Sequence, residues 1–262
     1  MFEKTRRWHS IAIILFVLTL LANYLSAAGL LFPYDQKMIS DTYANYLAPA
    51  GFTFSIWGLI YLGMAVTLDL PWLRGFSRTF QSFYQQKIMP VYVLWLGANL
   101  LWIIFWSYNL IFLALVTIVV YALSLLYLVR LLDERRDLAN TRPWLLKIPV
   151  GLHAGWVVFA VFANLMTLLI KGGIASYSVL DIMLTTLLLV VACATILYLY
   201  RTFDNFALTV PALWALFGII MKQWPGSSFY YSNIFVMLVG IILFLGALYL
   251  HLKIREEHRA HR

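Results

Sequence analysis

The chain is poor in charge and nearly devoid of cysteine. Only 11% of its 262 residues are Asp, Glu, Lys or Arg, and Cys193 is its single thiol. One cysteine excludes an intrachain disulfide, and no Cys or His spacing resembles a zinc site, so no metal is expected. Cys193 lies inside an apolar run and reads as a buried, inert side chain. No glycine-rich phosphate loop, Ser–His–Asp grouping or pair of carboxylates within an apolar stretch is present. The sequence therefore offers no catalytic constellation and no nucleotide-driven motor. Long polar linkers and low-complexity segments are missing too.

What fills the space is apolar: 63% of positions, against roughly 45–50% in a soluble domain. The excess sits in blocks separated by short stretches that hold nearly all the charge. A helix needs ~20 apolar residues to cross a hydrocarbon core. Eight blocks read as such helices, at about 9–31, 50–70, 89–107, 110–131, 146–170, 177–200, 206–221 and 232–251. Runs such as 111–132 are apolar on every face, which excludes a β-barrel with its short alternating strands. The seventh span is the shortest, and its Pro211 falls in the first turns, where a missing N–H is tolerated. The expected fold is thus an all-α integral membrane protein of eight transmembrane helices.

The formal charge of +8 would suit nucleic acid, but its placement points elsewhere. With the N-terminus inside, sixteen of the 19 lysines and arginines fall on the cytoplasmic side and only Lys37, Lys171 and Lys222 outside. Cytoplasmic loops favour Lys and Arg, and a miscounted helix would invert every later loop. The split implies both termini inside, in a membrane of bacterial cytoplasmic type. The basic residues then face anionic headgroups, so membrane lipid is the expected partner and nucleic acid is not. Lys4-Thr5-Arg6-Arg7, an apolar stretch and Ser26-Ala27-Ala28 also have the make-up of a signal peptide. A retained first helix is the expectation. Asp69 is expected to pair with Arg74 at the inner surface, and Asp133 to Arg136 to form a solvated charge cluster in the loop at 132–145.

Polar and aromatic residues within the spans form stripes. Trp95, Asn99, Trp102 and Trp106 recur at helical spacing, as do His153, Trp156, Ala160 and Asn164, and also Phe54, Trp57 and Tyr61. Residues three and four apart share a helix face. Trp57, Asn99 and Asn164 all fall ~10 Å below the outer ends of their helices. Packing alone accounts for many such residues, and Trp106 and Tyr108 read as interfacial anchors. Indoles and amides at one depth, including Trp102, suit a cavity for a flat, apolar ligand. The outer loop at 32–49, rich in tyrosine, is long enough to lie over it as a lid. Gly151 and Gly155 permit close helix approach. Two groups could have an ionisable role: His153, expected as a satisfied structural histidine, and Asp181, expected about a turn below the outer surface, still hydrated and near Lys171 or Lys222.

Three of these motifs, in order, resemble the TspO/MBR family, the translocator proteins or tryptophan-rich sensory proteins. The stretch Pro49-Ala50-Gly51-Phe52-Thr53-Phe54-Ser55-Ile56-Trp57 to Gly63 is similar to the family's second helix. Asn99-Leu100-Leu101-Trp102 resembles its Asn-x-x-Trp, and Trp156 to Ala160 followed by Asn164 its fifth-helix motif. The likeness covers residues 9–170. It implies a five-helix core, 1–172, with a ligand pocket formed by Trp57, Asn99, Trp156, Ala160 and Asn164 beneath the first loop. Residues 173–262 would be three further helices and a basic tail, packed on the core as one domain, resembling a longer branch of the family. The implied function is binding or sensing of a porphyrin- or sterol-like ligand, with no required cofactor and a tetrapyrrole as a candidate ligand. A transporter of small apolar ligands, with or without proton coupling, is the alternative, and a tetrapyrrole- or lipid-modifying enzyme a third reading. The first loop lacks the tryptophans of short family members, which argues against photochemistry that needs a loop indole. No protein partner is implied.

Overall fold

The computed structural model describes residues 2–70, 76–135, 144–229 and 231–260, with the side chains of 2–6 and 259–260 left aside. Among these residues every regular element is helical. In order they are α1 (Phe2–Ala27), α2 (Gln36–Thr42), a 3₁₀ turn (Gly51–Ser55), α3 (Ile56–Asp69), α4 (Arg78–Phe83), a π turn (Tyr84–Ile88), α5 (Met89–Ser107) and α6 (Ile111–Glu134). Then come α7 (Lys147–Lys171), α8 (Val179–Phe203), a second 3₁₀ turn (Phe206–Leu208), α9 (Val210–Gln223) and α10 (Ile234–Ala260).

Eight helical stretches are long and apolar enough to span a membrane: Arg7–Ala27, Gly51–Asp69, Arg78–Ser107, Ile111–Glu134, Lys147–Lys171, Val179–Phe203, Phe206–Gln223 and Ile234–His258. They coincide with the eight apolar blocks of the sequence. Their outward faces are apolar, with Leu62 at 66% and Ile242 at 69% exposure. Such faces need lipid, not water, as their solvent. The chain is an integral multi-pass membrane protein.

The third span begins eleven residues before the expected start at 89. Arg78, Gln81, Gln85, Gln86 and Lys87 make that stretch read as loop. It is helical because Ser77 caps it, its hydroxyl accepting from Phe80 N at 3.1 Å, and because Phe80, Tyr84 and Ile88 turn one buried face inward. The π turn sits just before Pro90, which cannot donate into the helical ladder. Asp69 receives His9 Nε2 at 3.0 Å, whereas Arg74, its expected partner, lies outside the described residues, as does Arg136. Pro211 does stand in the first turn of α9, and Cys193 is buried and free.

The chain divides into two compact units, residues 1–39 with 60–150 and residues 40–59 with 151–262. In the first, α1 is fastened by polar contacts. Ser26 shares a hydrogen bond with Ser107 at 2.9 Å, and Asn23 Nδ2 donates to Tyr61 Oη at 2.8 Å. Trp95 stacks on Tyr121, rings 5.9 Å apart, so this member of the α5 stripe is committed to packing. Tyr84 donates to the Thr67 carbonyl and Thr67 bonds Tyr92.

In the second unit the two glycines of α7 meet the turn that precedes α9. A Cβ on Gly151 would stand 2.6 Å from Asn205 Oδ1, and one on Gly155 only 2.1 Å from the Leu208 carbonyl oxygen. Glycine is required at 155 because the neighbour is backbone and cannot swing aside. Gly218 on α9 plays the same part against Thr53.

Candidate functional site

Trp57, Trp156, Ala160 and Asn164 belong to the second unit, Asn99 and Trp102 to the first. In the second unit, the 3₁₀ turn feeds directly into α3 and brings Phe54 and Trp57 to α7. Trp57 stands edge-on to Trp156, centroids 6.2 Å apart, and to His153 at 6.1 Å. Phe54 meets the same Trp156 edge-on at 6.0 Å. Aromatic pairs prefer this geometry because a positive ring edge faces a negative ring face. Trp156 and His153 are buried, while Trp57 is half-buried and Phe54 exposed. The indole of Trp57 is thus met edge-on by Trp156 and His153 and remains partly exposed.

Two turns along α7, Asn164 is buried and its Nδ2 donates to the Ala160 carbonyl at 2.8 Å. The two residues singled out by the family motif are therefore linked within one helix turn. His153 is fully buried beside Trp57.

The first unit holds a file of neutral polar side chains that the stripe reading only half found. Gln36 Nε2 donates to Asn23 Oδ1 at 3.1 Å, Asn23 Nδ2 to Tyr61 Oη, and Asn99 Nδ2 faces the same phenol oxygen at 3.3 Å. Asn99 is fully buried, and its amide oxygen has no hydrogen-bond partner among the described residues. Turning the amide end for end would exchange its oxygen and nitrogen but still leave one end unmatched. A buried amide of this kind is costly unless something else completes it. Asn23 and Gln36 were missed, although an asparagine inside an apolar span is itself the signal.

Trp102 lies against Trp106, centroids 5.6 Å apart. The anchor reading of Trp106 is corrected: it is 7% exposed and its Nε1 donates to the Gln36 carbonyl at 3.3 Å. Tyr108, 52% exposed, keeps the character of an anchor.

Asp181 also departs from expectation. It is buried and held by four hydrogen bonds at the start of α8. It occupies the third position of α8 after the cap Ser178, whose hydroxyl accepts from Asp181 N at 3.2 Å. Its Oδ2 accepts from Tyr177 N at 2.8 Å, and its Oδ1 from Tyr46 N at 3.3 Å and Thr185 Oγ1 at 3.1 Å. The carboxylate thus reaches back past the cap to the N–H of residue 177 and across to a second segment of chain, at a helix N-terminus where negative charge is favoured. Tyr177 holds a positive φ of 61°, disfavoured for an aromatic residue, and its N–H is what the carboxylate grips. Burial, then the nearby Asp181 charge, pushes the Tyr177 phenol up to about 12. Lys222, an expected partner of Asp181, donates to the Ala48 carbonyl at 2.9 Å and lies 4.7 Å over the Phe229 ring. Lys171 lies over Tyr43 at 5.7 Å.

A family model described as "TSPO-like protein" matches residues 9–250. The chain belongs to the TSPO-like protein family. The match runs past residue 170, where the recognisable motifs end, and takes in α8, α9 and most of α10. No curated protein and no solved structure matches the chain. Family membership points to a ligand-binding or transport role in the membrane.

Proposed function

We propose that this protein is a non-enzymatic binding protein or sensor for a flat, mainly apolar ligand of porphyrin or sterol type. The reading rests first on the half-buried Trp57 indole, which Trp156 and His153 meet edge-on, with Phe54 edge-on to the same Trp156. Asn164 and Ala160 continue that surface on α7. Within the first unit, Asn99 is proposed as a polar contact for ligand, because its amide is buried with one end unmatched, and Trp102 lies one turn further along α5.

The role of Asn99 has a specific test. Asn99→Leu is nearly isosteric and leaves Tyr61 bonded to Asn23, so folding should survive. Protoporphyrin IX and its dimethyl ester should then bind with more equal affinity. The loss of discrimination should be roughly three- to tenfold, the equivalent of one neutral hydrogen bond. Unchanged discrimination in a folded variant would remove Asn99 from the site.

Transport of the same ligand is the second reading. It is favoured by one observation, the file Gln36, Asn23, Tyr61 and Asn99, which is polar along its length. Asp181 and His153 are the ionisable groups such a mechanism could use, but both are engaged in packing or capping contacts. Binding is therefore preferred.

The orientation proposed is both termini in the cytoplasm, in a membrane of bacterial type. The loop charges support it. A cysteine placed at Tyr43 should react with an impermeant thiol reagent in intact cells. One placed at Asn140, which lies outside the described residues, should react only after permeabilisation. The reverse pattern would invert the topology.

A further inference from the structure

Residues 204–209, between α8 and α9 of the second unit, are gripped from two sides. On one side they meet α7. A Cβ at Gly151 would stand 2.6 Å from Asn205 Oδ1, and one at Gly155 2.1 Å from the Leu208 carbonyl oxygen. At residue 155 backbone lies against backbone, so α7 cannot shift there without moving Leu208. His153 and Trp156 flank that contact on α7, and both meet Trp57. On the other side stand the last turns of α10. Thr209 Oγ1 and His251 Nδ1 are 2.5 Å apart. His258 Nδ1 lies 2.8 Å from Asp204 Oδ1, an ion pair when the imidazole is protonated, though out of line for a hydrogen bond. Buried Tyr200 at the end of α8 faces both imidazoles, at 5.3 and 5.6 Å between centroids. Arg201 pairs with Glu257 at 3.2 Å, and the Arg255 guanidinium lies 5.7 Å over the Phe206 ring.

We propose that the 204–209 turn couples the Trp57–Trp156 corner to a clasp on the end of α10, so that ligand in the corner loosens residues 251–258. The two grips differ in stiffness. The α7 side is close-packed backbone. The α10 side depends on side-chain pairs at the helix end, and Arg201 and Glu257 are 67% and 36% exposed, where an ion pair contributes little. A push on α7 at Trp156 therefore passes through Leu208 and yields where the hold is weakest. The element with two states is the last two turns of α10, docked on the turn or released. In the orientation proposed above that end faces the cytoplasm, where a sensor must deliver its signal. Coupling to ligand rests on the binding reading above, whereas the clasp and its link to α7 do not.

The test uses the full-length protein in detergent, with Cys193→Ala and one new thiol by Ile254→Cys, a position on α10 that is buried. Its reaction with a maleimide should be slow. Adding Asp204→Asn with Arg201→Gln should speed labelling by about fivefold, the equivalent of the stronger exposed pairs. Asparagine tolerates the left-handed backbone at 204, where φ is 45°, so only the charge is lost. A parallel protein carries Leu189→Cys instead, fully buried on α8, and should stay protected. Unchanged labelling at 254, or equal acceleration at 254 and 189, overturns the clasp. The link to α7 is read without ligand. Trp57→Ala should speed labelling at 254 by about twofold or more, and Trp144→Ala should leave it unchanged. Equal rates in the two overturn the coupling. Saturating protoporphyrin IX should speed labelling at 254 by about fivefold or more, and bound porphyrin without that change also overturns it. If the parent binds no porphyrin, the ligand reading fails, while the rates without ligand still judge the clasp and its link to the corner.

Discussion

Gly155→Ala should abolish the folded state or lower its thermal midpoint more than any other single-methyl change in the protein. The added Cβ would sit 2.1 Å from the Leu208 carbonyl oxygen, with the Leu208 carbonyl carbon at 2.9 Å. Backbone cannot rotate away, so α7 and the turn before α9 must separate. Overpacking costs about 1–3 kcal/mol when side chains can yield, and this site belongs at or beyond the top of that range. The better helix propensity of alanine returns only about 1 kcal/mol, so the clash decides the sign. Gly97→Ala is the matched control, because nothing lies within 4 Å of its missing Cβ, and it should fold as the parent does. Size-exclusion profiles and thermal midpoints in detergent measure both. Equal behaviour of the two variants would mean that α7 does not approach the turn this closely.

That contact shows where sequence reasoning stops. Glycines four apart announce a close approach, but nothing in their spacing says what approaches. The partner is a short turn at 205–208, itself unremarkable in the sequence. The spans were legible because an apolar run of about 20 residues has the length a helix needs to cross the hydrocarbon core, and the position of Pro211 agreed. The start of the third span was not, since its polar residues hid the buried face of Phe80, Tyr84 and Ile88. Periodicity correctly set Trp57 and Trp156 on their helix faces. It could not tell that Trp106 is buried by a bond to the Gln36 carbonyl, because that depends on how α2 lies over α5. Nor could depth along a helix tell that Asp181 is buried. Its burial comes from residue 46, more than a hundred positions away. Residues 40–59 and 151–172 fall in one compact unit with α8, α9 and α10.

Loss of the Trp57 indole should have the largest effect on binding. Stacking contributes roughly 0.5–1.5 kcal/mol beyond buried area, and the apolar contact of one ring face adds about 1.5 kcal/mol. Together these predict that Trp57→Ala weakens binding by roughly thirty- to a hundred-and-fiftyfold. Because Trp57 is only half-buried in the protein itself, the variant should fold. Trp106 would be a poor comparison, being buried and hydrogen-bonded. Trp144, 63% exposed, serves better. The decisive measurement is a titration of the parent, Trp57→Ala and Trp144→Ala proteins with protoporphyrin IX, followed by porphyrin absorbance, with thermal midpoints taken on the same samples. Parent and Trp144→Ala should bind alike, and Trp57→Ala far more weakly at a comparable midpoint. Equal affinity of all three folded proteins, or no binding by the parent, would contradict the assignment of this aromatic corner as a porphyrin-type site.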